Sequence, residues 1–183
     1  MAKVGVIGAG SWGTALAVLL HKNGHEVTVW SKFQAEIDML NTEHEHKDKL
    51  AGVKLPEDMI FTTDLESSIK GMDLLVLAVP SPFTRGTSKL MSEYVEKDQI
   101  IVNVAKGIEE NTVMTLSEII EEEIPQSVVA VLCGPSHAEE VGRGIPTTVV
   151  VGAKKKSTAE FIRSLFMNEV FRVYTSPDML GME

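Results

Sequence analysis

The chain alternates between short apolar runs and segments with helical hydrophobic spacing. The runs rich in β-forming residues are 4–7, 26–30, 74–79, 100–104, 128–133, 147–151 and 171–174. They are nearly all apolar rather than alternating apolar and polar, which is typical of strands buried on both faces of a parallel sheet. Because helical patterns lie between most of them, the sequence predicts an α/β fold.

The helical segments carry start and stop signals. Residues 12–23 place their apolar side chains on one stripe, and Gly24 follows, the residue type that most easily adopts the left-handed conformation beyond a helix end. Residues 4–30 are therefore predicted to form a tight strand–helix–strand unit. Thr115 and Ser157 each precede a glutamate by three positions, the spacing of a capping box, so a helix is expected to begin at each.

Four other segments are interpreted from their polarity, their charge or a helix-start pattern. Residues 41–57 are polar and without a clear period, which predicts a surface loop, and the charge runs 121–123 and 154–156 are expected to be solvated. Residues 176–178, Ser-Pro-Asp, have the pattern of an N-cap, a first-turn proline and an acidic first turn. A helix is expected to begin there and to continue into a further domain that this chain does not contain.

Length and charge narrow the functional class. A chain of 183 residues is expected to form one domain, and its net charge of -9 argues against a nucleic-acid or anionic-membrane surface. The single cysteine, Cys133, cannot form an internal disulfide. The apolar stretches are too short to cross a membrane, and the first residues enter a strand without room for a signal peptide. These features predict a cytoplasmic protein without a membrane span.

The first turn of the chain contains the pattern G-x-G-x-x-G at Gly8, Gly10 and Gly13. It lies between an apolar strand and an amphipathic helix, the context that the dinucleotide-binding fingerprint requires. Such glycines allow a sharp turn and close approach of backbone N–H groups to a pyrophosphate at the helix N terminus. The pattern predicts a Rossmann-type doubly wound, mostly parallel sheet with helices on both faces. The alternative is that the glycines serve only a tight turn.

The end of the second predicted strand bears on cofactor choice. Sites that prefer NAD place an acidic residue there to bind the ribose 2′-hydroxyl, whereas this chain has Ser31 and Lys32. A hydroxyl and an ammonium can hold a 2′-phosphate that a carboxylate would repel. NADPH is therefore favoured over NADH, although Lys32 could equally be an ordinary solvated lysine.

Further candidate residues follow predicted strands in the segments 79–83, 103–107 and 133–138. Ligands of open α/β sheets bind at this edge. Lys106 is the catalytic candidate, because a cation there could polarise a substrate carbonyl oxygen or bind a phosphate. Residues 134–136 precede a predicted short helix and could form a second anion site. The alternatives are a solvated lysine and a plain turn.

Other chemistries receive less support. The pair His44 and His46 could chelate a metal, but a polar loop of this kind is usually solvated, so no metal is expected. Cys133 ends an apolar strand and is expected to pack as a small hydrophobe. His137 is a candidate base, yet no serine or cysteine nucleophile motif accompanies it.

Together, four motifs resemble one enzyme family. Residues 8–15, 77–81 with Arg85, 106–109 and 134–141 occur in the order and spacing of bacterial NAD(P)-dependent glycerol-3-phosphate dehydrogenases, and the resemblance covers the whole chain. It implies reversible hydride transfer between C2 of sn-glycerol 3-phosphate and NADP or NAD. Reduction of dihydroxyacetone phosphate would supply phospholipid synthesis. The resemblance leaves a homodimer open as the assembly.

The resemblance also implies site residues. The cofactor contacts, in addition to the three glycines, are Ser11, Trp12, Lys32, Phe83, Lys106 and Ala138. The substrate contacts are Lys106, Gly134 and Ser136. Residues 1–183 are therefore expected to be the NAD(P)-binding domain.

Two departures from the family pattern limit this expectation. Residues 49–52 are Lys-Leu-Ala-Gly where the family usually has Tyr-Leu-Pro-Gly, which puts a minor cofactor contact in doubt. The family's general base is a lysine just past residue 183, in an all-helical second domain that also holds the substrate-phosphate arginine. The chain alone is therefore expected to be inactive.

Two other classes of protein share part of this pattern. A stand-alone NADPH-binding sensor or scaffold without catalysis would carry the same fingerprint. An S-adenosylmethionine methyltransferase has a similar glycine loop but places an acidic residue after the second strand, where this chain has Ser31 and Lys32.

Overall fold

A computed structural model describes residues 1–183 and contains one sheet of eight strands flanked by helices. The strands are β1 (Lys3–Ile7), β2 (Glu26–Trp30), β3 (Ile60–Thr62), β4 (Leu74–Leu77), β5 (Ile100–Asn103), β6 (Val128–Cys133), β7 (Thr147–Ala153) and β8 (Phe171–Ser176). The helices are α1 (Ser11–Lys22), α2 (Gln34–Glu43), α3 (Thr84–Met91), α4 (Leu116–Glu123), α5 (Ala138–Gly142) and α6 (Lys156–Phe166). Two short 3-10 turns cover Ser81–Phe83 and Leu180–Met182. None of the helices is both long and apolar enough to span a membrane.

The strand order is β3-β2-β1-β4-β5-β6-β7-β8, and every neighbouring pair is parallel except β6 with β7. The chain builds outward from β1 in one direction through β2 and β3, and then restarts on the other side of β1 with β4. This reversal between β1 and β4 is the point at which open α/β sheets bind ligands. The predicted mostly parallel, doubly wound sheet is confirmed, and β3 is an additional short edge strand.

The core lies on both faces of this sheet. In β4, Leu74 and Val76 belong to the buried cluster that includes residues of α1, α2, α5 and α6, whereas Leu75 and Leu77 belong to a second cluster that includes residues of α3 and α4. All four side chains are fully buried. This two-sided burial is the physical reason that the strands are apolar throughout, as the sequence predicted.

The predicted helix boundaries are partly right. Gly24 has φ +86° just beyond α1, and Thr115 forms the capping box with Glu118 at the start of α4. The N-cap prediction for Ser157 is wrong. α6 begins at Lys156, after an extended Lys155 that makes no side-chain cap. Ser157 therefore lies inside the first turn, where its hydroxyl cannot serve as the cap.

The prediction of a surface loop at residues 41–57 is wrong in two respects. Its first three residues belong to α2, and His46, Leu50 and Val53 are buried in the interior. Leu50 and Val53 lie against Gly142 of α5. Their irregular spacing matches neither a helix nor a strand, so the pattern did not reveal that this segment covers part of the core.

The prediction of a helix beginning at residues 176–178 is also wrong. Ser176 is the last residue of β8, and its Oγ accepts a hydrogen bond from Asp178 N at 3.1 Å. Asp178 Oδ1 in turn accepts from Gly181 N at 2.9 Å, and one 3-10 turn follows. The side chain of Glu183 accepts a hydrogen bond from Ser117 N at 2.8 Å, at the N terminus of α4.

Candidate functional site

A cleft of about 730 Å³ opens where the sheet order reverses, at the carboxyl ends of the central strands. This volume lies within the range of small-molecule sites, roughly 300–1,000 Å³. Most of the predicted site residues line it, and these are Gly8, Gly10, Ser11, Trp12, Lys32, Phe83, Lys106, Gly134 and Ser136. Residues that are far apart in the sequence therefore meet in one place.

The three fingerprint glycines are required for different reasons. Gly8 has φ +119°, and a Cβ there would lie 2.7 Å from the carbonyl oxygen of Ala78. A Cβ on Gly13 would lie 2.0 Å from the carbonyl oxygen of Gly8. Gly10 has φ -67° and would have no heavy atom within 4 Å of a Cβ. The protein itself thus requires Gly8 and Gly13, whereas Gly10 only keeps space open in the cleft.

The N terminus of α1 faces this space. Gly10 is its N-cap, no side chain caps the helix, and no acidic residue stands in the first turn. Ser11 and Trp12 form the start of the helix and line the cleft. Because first-turn N–H groups lack partners within the helix and carry the positive end of its dipole, this position can bind an anion.

The end of β2 differs from what the sequence suggested. Ser31 is buried, and its hydroxyl donates to the carboxylate of Glu36 at 2.5 Å. Lys32 is exposed, with Nζ 4.9 Å from the ring centroid of Phe33 and 5.0 Å from that of Phe83. Two aromatic rings therefore hold one cation at the cleft mouth. Of the predicted pair, only Lys32 is free to meet a ligand.

Glu36 of α2 is a cleft residue that the sequence analysis missed. His46 Nε2 lies 3.1 Å and Lys49 Nζ 2.5 Å from one of its carboxylate oxygens. Burial acts to raise the pKa of Glu36, but hydrogen bonds from His46, Lys49 and Ser31 outweigh it and lower that pKa to about 2. The group is therefore ionised at neutral pH. The sequence signal that could have revealed Glu36 as a cleft residue was its position in the first helical turn after the end of β2.

His46 also corrects an expectation. It was predicted to lie in a solvated loop, yet it is buried and pairs with Glu36. Lys49, at the position of the departure from the family pattern, lines the cleft. The segment that was predicted to be a plain loop thus supplies Lys49 to the cleft and His46 as a buried partner of Glu36.

The opposite wall is made by the segments after β5 and β6. Lys106 Nζ donates to the carbonyl oxygen of Gly134 at 3.0 Å and remains exposed at the cleft. Gly107 has φ +128°, and a Cβ there would lie 3.1 Å from Ser81 Oγ. Cys133 is half-buried in the cleft wall rather than packed in the core as predicted. The ammonium of Lys106 is therefore the positive charge of this wall.

Two predicted cofactor residues do not line the cleft. Gly13 lies behind it, where its lack of a side chain permits α1 to pack on the glycine loop. Ala138 is the first residue of α5 and belongs to the buried core, with 9% of its surface exposed. His137 is exposed outside the cleft, at the N-cap of the same helix. Ala138 and His137 therefore contribute no side chain to the cleft, and Gly13 acts through the backbone alone.

An ion-pair network fixes the loop that follows β5. The guanidinium of Arg85 in α3 binds both carboxylate oxygens of Glu109 at 2.8 Å, and Nη1 lies 2.9 Å from Glu122 and 2.7 Å from Glu123. Hydrogen bonds from Arg85 and Thr112 lower the pKa of Glu109 to about 2, and those carboxylates raise the pKa of Arg85. The acidic run 121–123 was expected to be solvated, but two of its members form this network.

Comparison with known proteins agrees with this geometry. The family described as "NAD-dependent glycerol-3-phosphate dehydrogenase N-terminus" matches residues 3–159. A "Glycerol-3-phosphate dehydrogenase [NAD(P)+]" of Agathobacter rectalis is 64% identical over 183 residues, covering 100% of this chain and 54% of that protein. The Fusobacterium nucleatum protein of the same name is 52% identical over 185 residues, covering 100% of this chain and 55% of its own length.

The solved structures show the same relation. The crystal structure of glycerol-3-phosphate dehydrogenase from Coxiella burnetii superposes with a TM-score of 0.93 at 29% identity. The match covers 98% of this chain and 55% of that one. The chain thus spans about half the length of the curated relatives and of this structure.

Proposed function

This chain belongs to the family of NAD-dependent glycerol-3-phosphate dehydrogenases, and on that premise we propose that residues 1–183 are its cofactor-binding domain. The observation that carries the proposal is the open space in front of Gly10, at the uncapped N terminus of α1. A pyrophosphate fits this chemistry, because the first-turn N–H groups can donate to it without competition from a side chain. NADP and NAD share that group, in keeping with the names of the relatives.

For the complete protein we propose oxidoreductase chemistry on a small phosphorylated substrate. Hydride would pass reversibly between C2 of sn-glycerol 3-phosphate and the nicotinamide, and reduction of dihydroxyacetone phosphate would supply a phospholipid precursor. The exposed ammonium of Lys106 would hold and polarise the C2 oxygen as negative charge develops on it. Gly134 and Ser136, on the same wall of the cleft, would hold the substrate beside it.

A general base and a phosphate clamp are proposed to come from an all-helical second domain. Oxidation of a secondary alcohol requires a base for the hydroxyl proton, typically worth about 10²–10⁴-fold in rate. The titratable residues that line the cleft are Lys32, Glu36, Lys49, Lys106 and Cys133. The first three belong to the end near β2, and Lys106 is assigned to the substrate oxygen. This leaves the cleft without a second ammonium or imidazole near Lys106.

Cofactor choice is proposed to favour NADPH over NADH. The support is that Lys32 is exposed at the cleft mouth and has no carboxylate partner. A 2′-phosphate can pair with this ammonium, whereas a 2′-hydroxyl gains much less from it. The preference is measured by titrating the purified chain with each cofactor and following the tryptophan fluorescence, since both Trp12 and Trp30 line the cleft.

One experiment tests the division of labour between the two halves. The 183-residue chain is compared with a version extended through the second domain, using NADPH oxidation at 340 nm with excess dihydroxyacetone phosphate. We expect both proteins to bind NADPH and only the extended one to turn over. Equal activity in the short chain would place the base within these residues. Binding without turnover in both would favour a stand-alone NADPH sensor or scaffold.

We also propose a location and an assembly for the complete protein. A cytoplasmic location suits a reaction between soluble metabolites. A homodimer is proposed as the assembly of the complete protein. Sedimentation of the extended protein would test it, since a purely monomeric profile at micromolar concentration contradicts a dimer.

A further inference from the structure

One group at the cleft is not explained by the proposed chemistry. We define the Glu36 cluster as Ser31, Glu36, His46 and Lys49, which surround one carboxylate at the carboxyl end of β2. Glu36 lines the cleft although only 11% of its side chain is exposed. A cleft proposed to prefer a phosphorylated ribose thus contains a fixed negative charge.

The position of this charge matters. In doubly wound dinucleotide-binding folds, the residue that meets the ribose 2′ position stands at the end of the second strand. Ser31 occupies that place, and its hydroxyl donates to Glu36. The acidic group that the end of β2 lacks is therefore supplied by the first turn of α2, five residues further along the chain.

The two ammonium groups near this carboxylate differ in their partners. Lys49 pairs with Glu36 and neutralises it in part, while Lys32 lies between two aromatic rings without an acidic partner. A 2′-phosphate would meet attraction from both ammonium groups and repulsion from the carboxylate. A 2′-hydroxyl would instead find in Glu36 an acceptor for its proton.

From this arrangement we propose that Glu36 is a specificity-determining residue that limits the preference for NADPH and supports binding of NADH. The ammonium of Lys49 partly offsets the charge of Glu36 and so acts in the opposite direction. The inference rests on the proposed binding of both cofactors by this cleft. It predicts that the choice between them depends on side chains outside the end of β2. It also assigns a purpose to Lys49, where the family usually has tyrosine.

The decisive measurement is the ratio of the dissociation constants for NADH and NADPH. Glu36→Gln keeps the size of the side chain and removes the charge, so we expect the ratio to move about tenfold toward NADPH. Lys49→Gln removes the ammonium that offsets the charge of Glu36, so the ratio should move in the opposite direction, toward NADH, by about three- to tenfold. Lys47→Gln is the matched control, because Lys47 belongs to the same segment, pairs with Glu43 and does not line the cleft.

The ratio separates recognition from stability. Each cofactor is titrated into a separate aliquot of the same preparation, so an unfolded fraction weakens the two apparent affinities equally and leaves their ratio unchanged. If Glu36→Gln does not fold, Lys49→Gln decides the matter, since 47% of the Lys49 side chain is exposed and we expect its replacement to leave the fold intact.

The outcomes distinguish this inference from the proposed function. If the unmodified chain binds neither cofactor, the proposed function fails. If it binds both, a ratio in Glu36→Gln within about twofold of the unmodified protein, or a shift toward NADH, would overturn the assignment of Glu36. When only Lys49→Gln folds, an unchanged ratio or a shift toward NADPH does the same.

Discussion

The glycine loop (residues 8–13) and the Glu36 cluster both contribute residues to the same cleft, but backbone conformation holds the loop and side-chain contacts hold the cluster. The loop is six consecutive residues whose shape is fixed by backbone conformation, through the φ of Gly8 and the contact of Gly13 with it. The cluster extends from Ser31 to Lys49 and is fixed by side-chain hydrogen bonds around a buried charge. In the proposed complex the loop meets a pyrophosphate common to both cofactors, whereas the cluster lies where they differ.

This comparison predicts how substitutions in each region alter the binding of the two cofactors. A change in the glycine loop should weaken NADPH and NADH alike, because the group recognised there is the same. A change near the end of β2 should separate the two cofactors. Substitutions in the two regions test that division.

The largest effect is expected for Gly10→Val. Gly10 has an ordinary φ and open space around its Cβ position, so the folded chain can accept a side chain there. The isopropyl group would fill the space proposed for the pyrophosphate, and binding of both cofactors should fall below detection. Fluorescence titration measures the binding, and circular dichroism reports the fold.

Gly86→Val is the matched control for that variant. Gly86 also has no heavy atom within 4 Å of its Cβ position, but it lies in α3 outside the cleft. It should bind both cofactors as the unmodified chain does. Retained binding in Gly10→Val would contradict the fingerprint interpretation, and loss of only one cofactor would contradict the comparison.

Lys32→Glu should have the next largest effect. Losing an ion pair with a 2′-phosphate costs roughly 1.5–3 kcal/mol, which is about ten- to a hundredfold in the dissociation constant for NADPH. NADH should change far less. Lys97→Glu is the control, because it changes the net charge equally but lies just before β5, at the amino ends of the strands and away from the cleft. It should leave both dissociation constants unaltered. Equal losses for the two cofactors in Lys32→Glu would show that Lys32 does not contact the 2′ position.

The same difference, between local backbone conformation and contacts of distant side chains, explains why the glycine loop was easier to predict from the sequence than the Glu36 cluster. The glycine loop depends on residues within one turn of chain, so its position and backbone demands were predictable from local pattern. The partners of Glu36 are five, ten and thirteen residues away and meet only because residues 44–55 fold back against the core. No periodicity marks that return, and the segment was predicted to be a surface loop.

The opposite wall of the cleft lies between these extremes. Lys106 and Gly134 follow β5 and β6, and adjacent parallel strands end at one edge, so their meeting was predictable from topology. The network around Arg85 was not predicted, because charge runs give no indication of which distant partner they face. Pattern thus locates a site made by strand ends better than one made by ion pairs.

A smaller effect, on stability, should distinguish the glycines within the loop. A Cβ on Gly13 would lie 2.0 Å from the carbonyl oxygen of Gly8, so Gly13→Ala must displace backbone. We expect a loss of about 1–3 kcal/mol in the free energy of unfolding, as for other overpacked sites. Gly10→Ala meets no atom within 4 Å and should be neutral or slightly stabilising. Urea unfolding of the two variants measures the difference, and equal stabilities would show that the close packing is not required.

The smallest expected effect concerns acid and isolates the Glu36 cluster. The pKa of Glu36 is about 2 in the folded chain, against an ordinary value of 4.5 for an exposed glutamate, as in the unfolded chain. Its stabilising contribution is therefore complete above pH 4.5 and is lost as the pH falls toward 2. Glu109 has a folded pKa of about 2 for a different reason, its pairing with Arg85, so acid weakens both sites in one window.

Comparing the unmodified chain with Glu36→Gln removes the contribution of Glu109, because both proteins contain it. The difference in Tm between them should be greatest at pH 5 and shrink by a few degrees as the pH approaches 2, since Glu36→Gln has no carboxyl to protonate at that position. Thermal melts followed by circular dichroism at half-unit intervals provide the data. A difference that stays constant across this range would mean that the carboxylate of Glu36 gains nothing from Ser31, His46 and Lys49. The glycine loop contains no titratable side chain, so its conformation should respond to acid only through unfolding of the whole chain.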